Sequence, residues 1–71
     1  MKKNTGLKKE LHEWIYFAES ATRDFLREYG QERNYDIATT DRELRELTEE
    51  GKVKPVYDID GKFIRSYEII K

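Results

Sequence analysis

Arg42 and Arg45 stand three positions apart in the stretch ATTDRELRELTEE, Ala38 to Glu50. A guanidinium is a planar fork that takes a carboxylate or a phosphate through two parallel hydrogen bonds, so this pair has the chemistry of an anion grip. Each arginine is also followed directly by a glutamate. On a helix, Asp41–Arg45, Arg42–Glu46 and Arg45–Glu49 are spaced i,i+4, and each such exposed pair contributes about 0.2–0.5 kcal/mol. Turning 100° per residue from Leu44, the outer face carries Arg42, Glu46 and Glu49, with Arg45 at its edge. Three satisfied pairs would make a self-neutralising helix with no need of a ligand.

Other chemistry has less to stand on. His12 is the only histidine and there is no cysteine, whereas common metal sites draw on two or three nitrogen or sulfur ligands. DIDG, Asp58 to Gly61, has the look of a calcium loop. The ligand position two residues earlier is Val56, however, and no glutamate follows at the required offset, so a hairpin turn is the better reading. Ser20 and Ser66 have no histidine in a triad-like pattern, and no glycine-rich phosphate loop occurs. The carboxylates are scattered along helical faces, and a domain this small seldom encloses a pocket. No catalytic residue, metal or cofactor is expected, and the chain does not read as an enzyme.

Seventy-one residues make one small domain, which buries only about 60% of the surface its unfolded chain exposes. Charged residues reach 41%, but 14 basic against 15 acidic side chains leave a net of −1, so the composition suits solvated helix faces better than a disordered tail. No apolar run approaches a membrane span, and MKKNTG lacks the apolar segment of a signal peptide. The expectation is a cytoplasmic protein. Residues 34–71 hold seven basic side chains against nine acidic ones. Nucleic-acid-binding domains usually carry a basic excess, so such a role would rest on arrangement rather than on bulk charge.

The elements that position these residues follow from periodicity. Leu7, Leu11, Trp14, Ala18, Ala21 and Phe25 recur at spacings of three and four, one apolar stripe flanked by Ile15, Thr22, Leu26 and Tyr29. Asn4 or Thr5 can cap its start and Gly30 can end it in a left-handed conformation. The stripe passes Ser20 without a change of phase, which favours one long helix over 7–29. The alternative is a second helix capped by Ser20, from about Ala21 to Tyr29. WIYF, Trp14 to Phe17, surrounds the helix with large side chains. Trp14 and Ile15 belong to the stripe, whereas Tyr16 points nearly opposite and Phe17 lies on the flank. Either Tyr16 is simply exposed and Phe17 tucks under the hairpin, or the two form a partner surface, a homodimer seam.

Next, GQERNYDIA is a polar connection. Thr40 and Glu43 match the Thr-x-x-Glu capping box, which starts a helix over 40–50 with Leu44 and Leu47 inward and Gly51 as its stop. KVKPVYDIDGKFIRSYEII then reads as a β-hairpin over 53–70. Val53, Tyr57, Phe63, Tyr67 and Ile69 share one face if Ile59–Asp60 form a type I turn with Gly61 as a left-handed bulge. Pro55 suits an edge strand.

This α+β order of helix, connection, capped helix and hairpin resembles the winged helix-turn-helix family. Leu44, Leu47, Gly51 and Val53 carry the likeness, with Tyr67 and Ile69 on the second wing strand, and it covers residues 37–70. One departure is plain. The family places a complete second helix before the recognition helix, and GQERNYDIATT has room for barely one turn. That helix is either abbreviated or supplied by residues 21–29.

The resemblance implies that the first turns of the 40–50 helix enter the major groove of DNA, while the wing reaches a neighbouring phosphate or minor groove. Thr39, Thr40, Arg42 and Arg45 are then the groove-facing residues, and Lys52, Lys54, Lys62 and Arg65 the phosphate contacts. A base or phosphate contact of about 1–3 kcal/mol outweighs a weak exposed ion pair, so the glutamates do not forbid binding. Glu46 and Glu49 would still lower affinity for non-specific duplex. The implied protein is a small phage- or plasmid-type transcriptional regulator that binds duplex DNA as a dimer through its N-terminal helix. The alternative is a winged helix acting as a protein-interaction adaptor through Tyr16, Phe17 and the acidic 41–50 helix.

Overall fold

The computed structural model describes residues 6–71. It is an α+β arrangement of α1 (Gly6–Ala18), β1 (Ser20–Thr22), α2 (Arg23–Glu32), α3 (Ile37–Glu49), β2 (Val53–Tyr57) and β3 (Ile64–Ile69). The expected cap of the first helix, Asn4 or Thr5, lies outside the described residues. No described helix is long and apolar enough to cross a membrane.

The single long helix over 7–29 is not formed. The chain breaks at Glu19, whose φ of 70° is left-handed, and the next three residues pair antiparallel with β3, Ser20 opposite Glu68 and Thr22 opposite Ser66. A new helix then starts at Arg23, capped by Thr22 rather than Ser20: the Thr22 hydroxyl accepts from the Phe25 N–H at 3.2 Å. Unbroken apolar phase does not guarantee an unbroken helix once a distant strand offers ladder hydrogen bonds. Because the chain turns here, the stripe does not share one buried face. Leu7, Leu11, Ile15 and Leu26 enter the core, whereas Trp14, Ala18 and Phe25 stay exposed.

Gly30 does not terminate α2 in a left-handed conformation. That role falls to Asn34, with φ 70°. The Tyr35 N–H donates to the Gly30 carbonyl at 2.9 Å and the Asn34 N–H to that of Gln31 at 3.0 Å, a Schellman end. Gly30 instead lets α3 approach, since a Cβ there would lie 2.1 Å from Thr40 Oγ1. Accordingly α3 begins one turn earlier than the capping box indicates. Asp36 is its cap, accepting from the Thr39 N–H at 2.7 Å, and the Thr39 side chain first, then this N–H, hold the Asp36 carboxyl below its ordinary pKa. Thr40 sits inside the helix, 0% exposed, with its hydroxyl donated to the Asp36 carbonyl at 3.2 Å. At the other end Gly51, with φ 78°, stops α3 as its position in the sequence indicates. The Lys52 N–H closes the end on the Leu47 carbonyl at 3.0 Å.

The sheet order is β1-β3-β2, so β2 is an edge and accommodates Pro55. Gly61 takes the left-handed turn position with φ 72°, and its N–H donates to the Asp58 carbonyl at 2.9 Å. A register shift follows Val56: it faces Ser66, but Tyr57 faces Ile64, leaving Arg65 as the extra residue. The bulge changes which side chains share the covered face. Val53, Tyr67 and Ile69 join the core or pack on it as expected, but Ile64 replaces Phe63, which is 61% exposed. Tyr57 keeps its place in the register yet remains exposed. Leu44 and Leu47 of α3 complete the core.

Candidate nucleic-acid interface

The three i,i+4 pairs expected along α3 do not form. Asp41 turns to α2, where Arg27 grips both carboxylate oxygens, Nε to Oδ1 at 3.1 Å and an Nη to Oδ2 at 2.7 Å. Glu46 and Glu50 turn to α1 and share the Lys8 ammonium, with Glu46 at 3.3 Å. These contacts raise the Lys8 pKa, chiefly through the Glu50 hydrogen bond, and lower that of Glu50 in return. Arg42 lies only against its neighbour Glu43, at 3.3 Å and largely in solvent. Arg45 is exposed and joins no ion pair among the described residues.

Helix α3 therefore presents its two arginines outward, while two of its acids, Asp41 and Glu46, and the following Glu50 engage α2 and α1. Glu49 remains among the exposed residues beside them. Thr39 is half-exposed near the start of the helix. Thr40 is not part of this face, because burial under Gly30 removes it from any ligand's reach.

The hairpin divides the expected phosphate contacts. Lys62 and Arg65 are exposed at the turn and the bulge, and neither forms an ion pair among the described residues. Lys54 alternates with the inward Val53 and Pro55, and so lies on the other face of the sheet, where it pairs with Glu68 at 3.5 Å. Lys52 pairs with Glu50 at 3.5 Å, on the side of α3 that meets Lys8. Neither lysine accompanies Arg42 and Arg45.

A cleft of roughly 380 Å³ opens between α3 and the hairpin, lined by Arg23, Asp41, Arg45, Thr48, Tyr57 and Tyr67. Pro55 and Ile64 give it apolar walls. Arg23 reaches it from the first turn of α2, and the Arg23 Nε is buried without a hydrogen-bond partner. The Tyr67 phenol has a raised pKa, first because it is buried, then because of the Asp41 charge, with Arg23 pulling the other way. Arg23 carries no sequence signal as a site residue. It joins Arg45 only because the chain breaks at Glu19 and starts a new helix beside the sheet.

A second exposed feature lies on α1 and α2. Phe17 is 81% exposed, so it does not tuck under the hairpin, and its ring meets that of Tyr16 edge-on at 5.8 Å. Trp14, 44% exposed, packs edge-on against Phe25 at 5.5 Å and Tyr29 at 5.8 Å. Trp14, Phe17 and Tyr29 line one groove, rimmed by Glu10 and Glu13. Glu10 is already engaged, by the Tyr29 hydroxyl at 2.8 Å and Arg33 at 3.1 Å. The aromatic surface is thus wider than Tyr16 and Phe17, since Trp14 and Phe25, whose spacing places them on the apolar stripe, are exposed as well.

No family model, curated protein or solved structure matches the chain. Any functional reading therefore stands on these two surfaces alone. Among the described residues, no three His, Cys, Asp or Glu side chains gather as a metal site.

Proposed function

We propose that this is a small winged-helix protein that binds duplex DNA as a dimer and acts as a transcriptional or phage- or plasmid-type regulator. The observation that carries the reading is the outward pair Arg42 and Arg45 on α3, beside a hairpin that bears Lys62 at its turn and Arg65 at its bulge, with Asp41, Glu46 and Glu50 drawn away to α2 and α1. A complete helix, α2, also precedes α3, which supports the resemblance at the point where the sequence departs from it. In this reading Thr39, Arg42 and Arg45 face the major groove, arginine being suited to the O6 and N7 edge of guanine. Lys62 and Arg65 hold backbone phosphates. The residual Glu49 keeps non-specific affinity low, and two half-sites joined in a dimer multiply modest individual affinities. The aromatic surface around Phe17 is the dimer seam.

Fluorescence anisotropy with mixed-sequence duplex at increasing salt tests this. The expected affinity falls linearly on a log–log plot, by about 0.9 for each phosphate neutralised, and Arg42→Ala/Arg45→Ala weakens it strongly. The exposed aromatic surface also favours a second reading, an interaction adaptor with no DNA role. No binding at low salt would select the adaptor.

A further inference from the structure

We infer that the cleft between α2, α3 and the hairpin is a binding site for a phosphoryl group, with Arg23 and Arg45 as its cationic arms and Tyr57 offering a hydroxyl donor. Three observations carry this. First, the charges do not cancel: Asp41 is the one acid on the lining, and both its oxygens are held by Arg27. The Arg27–Asp41 pair is neutral overall, which leaves the positive charges of Arg23 and Arg45 uncompensated within the lining.

Second, the Arg23 Nε is a buried donor with no acceptor. Such a group carries a desolvation penalty that an incoming oxyanion would relieve. Third, the walls suit a tetrahedral anion. Arginines from two helices and the Tyr57 hydroxyl share the lining with the apolar Pro55 and Ile64, while the Thr48 hydroxyl is already donated to the Leu44 carbonyl at 3.0 Å. The cleft lies at the lower end of the roughly 300–1,000 Å³ of small-ligand sites, so a phosphoryl group fits together with part of whatever bears it.

The site does not depend on the DNA reading. Only the assignment of the phosphoryl group to a duplex backbone rests on it, and a free phosphorylated compound presents the same chemistry. The experiment separates the two sources. Inorganic phosphate is titrated into the full chain at constant ionic strength, with chloride as the balancing anion, while amide and Arg Nε–H resonances are followed by NMR. The expected result is a saturable shift of the Arg23 Nε–H and of residues 45–48, weakened about tenfold or more in Arg23→Gln and separately in Arg45→Gln. Lys54→Gln, on the other face of the sheet, should leave it unchanged. Arg45→Gln lies at an exposed position and serves if Arg23→Gln unfolds. Shifts that do not saturate, or that persist in both arginine variants, overturn the site.

A second arm measures the salt slope of duplex binding. A loss of about 0.9 from that slope in Arg23→Gln, one phosphate's worth, identifies the phosphoryl group as part of a DNA backbone. Phosphate binding that requires Arg23, without any change in the duplex slope, identifies a free phosphorylated ligand. If duplex fails to bind but phosphate binds, the proposed function falls and the site stands. Duplex binding with no phosphate response and an unchanged slope in Arg23→Gln leaves the function standing and removes the site.

Discussion

The α3–hairpin face and the α1–α2 face are both made of side chains that the interior left over, but of opposite kinds. Helix α1 commits Leu7, Leu11 and Ile15 to the core and turns Trp14, Tyr16 and Phe17 outward. Helix α3 commits Thr40, Leu44 and Leu47 to the core and Asp41, Glu46 and Glu50 to its neighbours, leaving Arg42 and Arg45 outside. One face thus offers apolar area, whose attraction salt hardly weakens. The other offers charge, which salt screens within about 8 Å at physiological ionic strength. Ionic strength is therefore the simplest way to tell which face makes a given contact.

Mutations can break or sharpen this contrast, beginning with the largest effect. Leu26→Ala removes a fully buried side chain shared by the supports of both faces. It should cost about 2–5 kcal/mol in urea unfolding, and both faces should fail together. Gly30→Ala should cost about 1–3 kcal/mol through the collision with Thr40. Because this contact sets how closely α3 lies on α2, it should weaken duplex binding while sparing self-association. Thr40→Ala in the same chain should restore part of the loss. If Gly30→Ala is as stable as the parent, the close crossing of these helices is wrong.

Asp41→Asn should cost about 1 kcal/mol or less of stability, since the pair with Arg27 is partly exposed. It also releases a third cation beside the cleft, so affinity for phosphate and for duplex should rise even as stability falls. That opposite movement distinguishes a functional surface from a purely structural ion pair. Phe17→Ser should change monomer stability by less than about 0.5 kcal/mol. Its effect should appear in sedimentation, where a dimeric parent becomes monomeric at tens of micromolar protein. A parent that is already monomeric there would remove the seam.

The acid limb of stability gives a further expectation. The Asp36 carboxyl has a lowered pKa in the folded chain because of the Thr39 side chain and, next, the Thr39 N–H it accepts. Its contribution is complete above the unfolded-chain value near 4 and disappears as pH falls through the lower folded value. Asp36→Asn should keep the cap while flattening that part of the profile, and Asp36→Ala should lose the cap at every pH.

Much of the second half of the chain was legible because its signals are local. Leu44, Leu47 and Val53 were placed by spacing, Gly51 and Gly61 by the backbone conformation their turns need, and Pro55 by its missing N–H. Local signals also misled where two of them competed. Asp36 and Thr40 are both good caps, and Asp36 prevails because the extra turn lets Thr40 pack beneath Gly30. Similarly, one extra residue at Arg65 exchanges Phe63 for Ile64 on the covered face.

By itself, the order of residues determined that this chain forms amphipathic helices followed by an edge-strand hairpin, since those patterns depend on neighbours within one or two turns. Tertiary structure alone decided that the first helical stretch breaks at Glu19, because β1 takes its hydrogen bonds from β3, more than forty residues away. It alone also decided the character of α3. Two of the three acids spaced to neutralise Arg42 and Arg45, Asp41 and Glu46, find cations on α2 and α1 instead, and a helix that reads as electrically self-contained keeps its arginines facing outward.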